Sequence, residues 1–168
     1  MAEFNDHGFG GTDTNRIARR AGFAPQTFYR WFKDKTEVFV AAYRAWEDAE
    51  KAMVGQLLVR EAPVEAIVEA AIDHHRSYLM FRRSLRQLSV ESRTVREARA
   101  QSRLRQVEQI RAWMGRGEAA GLAVRLLELE RLSDALAEGE FADMGLSEVE
   151  ARAELARIIS SLRTGVYA

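Results

Sequence analysis

Residues 12–35, TDTNRIARRAGFAPQTFYRWFKDK, contain the most informative motif of the chain. It predicts two short helices joined by a four-residue turn at residues 21–24, where Gly22 can take a positive φ at little steric cost. Thr12 or Asp13 is a candidate N-cap for the first of these helices. Two short helices around a tight turn of this kind form a helix-turn-helix unit.

The second helix of this unit is predicted to run from Pro25 to Phe32. Pro25 suits the first position, because its missing N–H would have no partner there. Phe28 and Phe32 share one inward face, so Gln26 and Thr27 face outward. Such a helix enters the major groove of DNA, where a glutamine amide pairs with an adenine edge and a threonine hydroxyl donates to a phosphate. The pattern therefore predicts a DNA-reading helix.

Charge is unevenly spread along a chain whose net charge is zero. Residues 12–35 hold six basic and two acidic side chains, and this excess supplies the attraction that binding to DNA phosphates requires. Arginine dominates residues 82–116, whereas acidic residues dominate residues 118–154. We interpret these two later blocks as solvated helix faces that pair with one another.

The rest of the chain predicts helix, since it is rich in Ala, Leu, Glu and Arg and lacks strand-like alternation. Gly121 is expected to end a long helix. Ser147 and Glu150 have the spacing of a capping box. The fold class is therefore all-α, with further helices predicted at about 36–59, from 63 onward, 81–92, 94–120, 125–142 and 147–163.

Several classes of protein are disfavoured by composition. The absence of cysteine excludes disulfides, thiol catalysis and cysteine-based zinc sites. No apolar run is long enough for a transmembrane helix and no signal peptide is expected, so we predict a cytoplasmic protein without membrane contact. There is no glycine-rich phosphate loop and no acid or histidine cluster at catalytic spacing, so an enzyme, a cofactor and a metal site are not predicted.

The motif residues closely resemble the DNA-binding domain of the TetR family of transcriptional repressors, over roughly residues 4–43. The residues that carry this resemblance are Gly8-Phe9, Thr12 to Thr14, Ile17 to Phe23, Thr27 to Lys35 and Val38-Phe39. The resemblance implies a helix-turn-helix DNA-binding domain at 1–44, with its first helix incomplete because Phe4 matches the last core residue of that helix. It implies a ligand-binding and dimerisation domain at 45–168.

The resemblance also implies six DNA-contacting positions. Thr14, Tyr29 and Lys35 match residues that contact phosphates in the family. Gln26 and Thr27 match positions of the recognition helix that face bases or phosphates. The full set is Thr14, Gln26, Thr27, Tyr29, Trp31 and Lys35.

Two positions depart from the family pattern. Trp31 stands where the family often has histidine, so its role in DNA contact follows less directly from the resemblance. Ala24 stands where serine or threonine is usual, which removes an N-cap that contributes about 1 kcal/mol.

A ligand pocket is predicted among the helices between residues 36 and 120. Aromatic side chains offer flat apolar walls, and methionine adapts to irregular ligands, although both are common in ordinary cores. His75 lies on the apolar stripe of its helix, where a hydrogen-bonded buried histidine and a ligand contact are both open readings; a metal ligand is disfavoured. The predicted pocket residues are Trp46, His75, Tyr78, Phe81, Trp113 and Met114.

The last helix carries two apolar stripes, although a helix that packs only on its own subunit needs one. We therefore predict a homodimer through the last two helices of each subunit. A helix at the centre of the monomer core is the alternative. The predicted interface residues are Leu129, Leu132, Leu136, Leu155, Ile158 and Leu162.

These features predict a dimeric transcriptional repressor that an apolar or amphipathic small molecule releases from a palindromic DNA operator. The rival interpretation is a helical ligand-binding or interaction protein without DNA binding. An enzyme is the least favoured class. Binding to DNA at low and high salt separates the first two.

Overall fold

The computed structural model describes residues 1–115 and 117–164, and all regular structure in these ranges is helical. The predicted all-α fold is therefore confirmed. No helix in the described residues is long and apolar enough to cross a membrane. The helices are α1 (Ala2–His7), α2 (Thr14–Arg20), α3 (Pro25–Phe28), α4 (Lys35–Val59), α5 (Val64–Ser77), α6 (Leu79–Glu91), α7 (Arg93–Met114), α8 (Ala119–Glu138), α9 (Glu140–Asp143) and α10 (Val149–Thr164).

In the C-terminal half of the chain, two helix ends differ from the sequence-based expectation. The helix predicted to end at Gly121 ends at Met114, and Gly121 instead lies in the first turn of α8. The helix predicted at 125–142 is interrupted at Gly139, whose φ of 78° is left-handed and ends α8. Periodicity alone places such breaks poorly, because a glycine inside a helix costs only about 1 kcal/mol and is tolerated there.

One compact unit comprises residues 1–49 and 78–99. Its apolar core joins α1, α4 and α6 through aromatic rings: the Phe39 centroid lies 5.0 Å from that of Phe4 and 4.9 Å from that of Phe81. Residues 78–99 therefore pack with the N-terminal segment, although the sequence-based division at residue 44 places them in the other domain. The division at residue 44 into a DNA-binding domain and a ligand-binding domain remains a prediction.

The second unit comprises residues 50–77 and the chain from residue 100. Its core is formed by apolar side chains of α5, α8 and α10, so the last helix is covered by helices of its own chain on this face. The buried members of the cluster are Ile67, Val68, Ile72, Leu136, Ala151, Leu155 and Ile159.

This packing corrects the predicted dimer interface. Leu136, Leu155 and Ile158 are only 1 to 2% exposed within the single chain, so their side chains offer no surface to a second copy. Leu129 and Leu132 are partly buried against the same core, and Leu162 is half-buried. The two predicted stripes are not separate surfaces, because Ile159 of one and Leu155 of the other are buried in the same core. The apolar side chains that α10 leaves on the surface of this chain include Val149 and Ala153.

Leu155→Ala should lower the free energy of unfolding by about 2–5 kcal/mol, because it leaves a cavity in the core of the second unit. Val59→Ala is the control, since Val59 is 86% exposed and its truncation should change stability by less than about 0.5 kcal/mol. Urea denaturation followed by circular dichroism measures both variants. Equal small losses in the two variants would contradict the placement of Leu155 in the core.

Candidate nucleic-acid interface

The reading head, defined as α2, the turn after it and residues 25–32, begins with a side-chain cap. Asp13 is the N-cap of α2, and its carboxylate accepts from the backbone N–H of Arg16 at 2.8 Å. Of the two candidate caps, Asp13 is thus the one used. Gly22 has a φ of 79°, which confirms the predicted left-handed turn.

The recognition helix is shorter than the predicted range of Pro25 to Phe32. Regular α-helix covers Pro25–Phe28, and hydrogen-bonded turns continue it, with the N–H groups of Trp31 and Phe32 both donating to the Phe28 carbonyl at 3.0 Å. Ala24 occupies the N-cap and provides no side-chain hydrogen bond, as expected for alanine there. The first turn consequently lacks one of the interactions that usually stabilise a helix start.

Aromatic anchors orient this helix. Phe28 is buried and Phe32 is half-buried, and their ring centroids are 5.6 Å apart, which confirms the predicted inward face. Gln26 is exposed on the outside of the helix. Tyr29 and Trp31 are also outside, with exposed fractions of 64% and 74%.

Two of the predicted phosphate contacts are brought together. The Thr14 hydroxyl at the start of α2 lies 3.2 Å from the Tyr29 hydroxyl, although the residues are 15 positions apart in the chain. Both hydroxyls are able to donate or accept hydrogen bonds. One phosphate oxygen beside this pair would accept from either, so the pair marks a single candidate phosphate position on the reading head.

The Lys35 side chain bonds to backbone groups of its own chain. Its ammonium donates to the backbone carbonyl oxygens of Phe9 at 2.7 Å and Thr12 at 2.9 Å. It also lies 4.2 Å from the centre of the Phe9 ring. The predicted phosphate contact of Lys35 therefore competes with three contacts to the loop between α1 and α2.

A buried acid organises the basic side chains of α2. The Glu3 carboxylate accepts from Arg16 at 2.8 Å, Arg20 at 3.1 Å and the Thr12 hydroxyl at 2.9 Å. Burial opposes the ionisation of Glu3, but these three donors outweigh it and hold the pKa of Glu3 below its ordinary value. Hydrogen bonds to Asp6 and Glu3 raise the pKa of Arg20. Two of the six basic residues counted toward DNA binding thus have their charge balanced within the protein.

Sequence reasoning missed Glu3 and also Ser84. The Ser84 hydroxyl on α6 accepts from the backbone N–H of Phe9 at 3.0 Å, across 75 positions of the chain. Neither contact has a local spacing signal, because helix and strand periodicity reports only on neighbours within a few residues. The only hint in the sequence was an acidic residue, Glu3, in a chain whose α2 is rich in arginine.

The six predicted pocket residues divide between the two units. Trp46, Tyr78 and Phe81 belong to the first unit, where Trp46 and Phe81 are buried in its apolar core and Tyr78 packs against it. His75, Trp113 and Met114 belong to the second unit. Trp113 is exposed on this chain. The pocket itself stays a prediction.

His75 lies between two carboxylates of its own unit. Its Nδ1 is 2.9 Å from Asp134 Oδ1, and its Nε2 is 3.1 Å from Glu50 Oε1. Carboxylates accept hydrogen bonds, so an imidazole N–H that faces either of them has a partner. Of the readings left open, the hydrogen-bonded buried histidine is the one that these contacts favour.

Glu3→Gln should lower the thermal stability of the protein at pH 7, because the neutral amide no longer attracts Arg16 and Arg20. The folded pKa of Glu3 is lowered, so its stabilising effect is complete above the ordinary glutamate value of about 4.3 and is lost as the pH falls through the folded pKa. The stability difference between wild type and variant should therefore shrink from pH 7 to pH 3. Calorimetric melting across this range measures it.

Asp48→Asn is the matched control, since it removes one exposed negative charge from the same unit and should change the melting temperature little. A Glu3→Gln variant as stable as wild type at pH 7 would contradict the assigned role. So would a difference that persists undiminished at pH 3.

Comparison with known proteins supports the assignment of this surface. Residues 1–42 match the sequence model of the family described as bacterial regulatory proteins, tetR family. No match was found among curated proteins or solved structures. The matched range contains the whole reading head and the three residues that hold Glu3, so the resemblance noted from the sequence is confirmed. Residues 1–42 are therefore similar to the DNA-binding domain of the tetR family of bacterial regulatory proteins.

Proposed function

We propose that this regulator is a homodimeric repressor, acting in the cytoplasm, that a small apolar or amphipathic molecule releases from a palindromic DNA operator. The observation that carries the proposal is the exposed outer face of the recognition helix, Gln26, Tyr29 and Trp31, on a helix anchored from behind by Phe28. Outward polar and aromatic side chains on a rigidly anchored helix are what major-groove reading requires.

The contacts to DNA fall into two classes. The adjacent hydroxyls of Thr14 and Tyr29 are positioned for the phosphate backbone and set the register. Gln26 is exposed with an amide suited to an adenine edge, while Thr27 is half-buried beside it. Trp31 extends the outer face with an apolar surface suited to sugar or thymine methyl groups.

The surface of the second unit supports a dimer. Val124 and Leu127 on α8 and Val149 on α10 are about half exposed or more on this chain, as is Trp113 on α7. Exposed apolar side chains of this size favour burial against another molecule where they form one patch. A second copy of the chain is the partner that a two-fold symmetric reader needs, because a palindromic site presents two equivalent half-sites.

Release by an effector follows from linkage. A molecule that binds the helical body at 45–168 weakens DNA binding only if it favours a state in which the two reading heads are wrongly spaced. A shift of α4 would connect the ligand-binding region to the reading head, since α4 begins just after the reading head and continues into the second unit. The rival, a ligand-binding protein without DNA binding, draws support from the uncapped start of α3.

Selection from random duplex DNA should recover a roughly palindromic site whose half-sites are about one helical turn, or a multiple, apart. Gln26→Ala should relax the preference at one position per half-site, at a cost of about 1–3 kcal/mol. Tyr29→Phe should weaken all sequences together, because it removes a phosphate contact and no base contact.

Binding isotherms at about 50 mM and 200 mM salt supply the measurement. Gln56→Ala is the control, since this exposed glutamine lies on α4 in the second unit and should leave affinity and preference unchanged. A protein without sequence preference and without affinity at low salt would favour the rival.

Ala153→Glu and Leu127→Glu should each convert the dimer to a folded monomer, because each buries a charge in the proposed contact between copies. Light scattering coupled to gel filtration at micromolar concentration measures the mass, and circular dichroism verifies the fold. Ala66→Glu, an exposed alanine on α5 of the same unit, is the control and should leave the mass unchanged. A wild-type protein that is a folded monomer at this concentration would disprove the dimer.

A further inference from the structure

The peptide groups around Phe9 are held from two sides within the first unit. The N–H of Phe9 donates to the Ser84 hydroxyl of α6 at 3.0 Å, and its carbonyl accepts from the Lys35 ammonium at the start of α4 at 2.7 Å. Phe9 lies in the loop of residues 8–13 that joins α1 to the reading head. Two helices of the core, α4 and α6, thus each form a hydrogen bond with Phe9.

The contacts of Lys35 are of the strong kind. Hydrogen bonds from a charged donor are shorter and about twice as strong as neutral ones, and this ammonium makes two of them, to Phe9 and Thr12. Its position over the Phe9 ring adds a cation–π attraction. The same ring packs edge-on against Phe39 at 5.4 Å between centroids. Side chain and backbone of Phe9 are therefore both fixed to α4.

The loop transmits this position to the reading head within a few residues. The carbonyl of Thr12 is bound by Lys35, and the next residue, Asp13, caps α2. Thr14, one of the two paired hydroxyls, follows directly. A displacement of the loop would therefore move the start of α2 and the candidate phosphate position with it.

The loop also has little room to adjust. A Cβ atom added to Gly11 would lie 2.1 Å from the backbone carbonyl oxygen of His7, a distance that no side-chain motion relieves. The Thr12 hydroxyl is tied to the buried Glu3 carboxylate. A short loop with fixed contacts at 9 and 12, and no room for a side chain at 11, behaves as a rigid connector between the core and α2.

We propose that Lys35 and Ser84 are positioning residues for DNA binding. They place the Thr14–Tyr29 hydroxyl pair through the loop, and Lys35 affects DNA affinity by this route and not by touching a phosphate. This inference rests on the proposed DNA binding of the chain. It also assigns Lys35 a role different from the phosphate contact that family resemblance implies.

Salt dependence separates the two roles of Lys35. Loss of a phosphate contact lowers the slope of log affinity against log salt by about 0.9 for each contact, because fewer counterions are released. Loss of a positioning residue lowers affinity while the number of phosphates neutralised, and so the slope, stays the same. Lys35→Met keeps the apolar stem of the side chain and removes the three donors.

The experiment measures DNA affinity at several salt concentrations for Lys35→Met, Ser84→Ala and the double variant, at a temperature where all are folded. Lys51→Met is the control, since it removes one exposed positive charge from the same helix. Lys35→Met and Ser84→Ala should each weaken binding several-fold at an unchanged slope. The double variant should lose less than the product of the two losses, because both side chains hold Phe9.

Hydrogen exchange of the Arg16 and Ile17 amides, which bond to the capping residue Asp13, provides a readout without DNA. It should be faster in both variants than in wild type and in Lys51→Met. A slope lowered by about 0.9 with unchanged exchange would make Lys35 a phosphate ligand and overturn the proposal. Unchanged affinity beside a lowered melting temperature would also overturn it, since the role would then be structural only.

Failure of the wild type to bind any DNA would count against the proposed function and not against the connector. Hydrogen exchange of the Arg16 and Ile17 amides in the two variants then tests the connector by itself. Exchange at the control level in both variants overturns the connector, and faster exchange in both supports it.

Discussion

The buried carboxylate of Glu3 holds together a reading head whose helices are too short to be stable alone. α2 has seven residues and α3 has four, whereas isolated helices shorter than about 12–15 residues are marginal in water. Glu3 binds Arg16, Arg20 and Thr12, and thereby ties both α2 and the loop before it to α1. The surface that reads DNA consequently depends on polar contacts made behind it.

The two units carry formal net charges of opposite sign. Residues 1–49 and 78–99 hold 13 Lys and Arg against nine Asp and Glu, a net charge of +4, and the rest of the chain carries −4. A net charge of zero for the whole chain therefore hides an excess of positive charge on the unit with the reading head. Long-range attraction to phosphates would therefore act mainly on that unit.

Local pattern was sufficient for the parts of the molecule that depend on near neighbours. The fold class, the turn at Gly22 and the outer position of Gln26 follow from spacings of a few residues, which also narrowed the cap of α2 to Thr12 or Asp13. The predicted dimer interface was wrong because periodicity shows which side of α10 is apolar but not which molecule covers it. Leu155 is covered by its own chain. Ser84 was missed because its partner lies 75 positions away. Lys35 was assigned to phosphate by resemblance, while its ammonium binds two carbonyls of the protein.

Protection of selected duplex DNA from dimethyl sulfate shows whether the helix beginning at Pro25 enters the major groove. This reagent methylates guanine N7 in the major groove and adenine N3 in the minor groove. A helix in the major groove should protect guanine N7 in two symmetric patches about one helical turn, or a multiple, apart, with adenine N3 between them left reactive. Protection confined to adenine N3, or no protection on DNA that the protein binds, would contradict that placement of the helix.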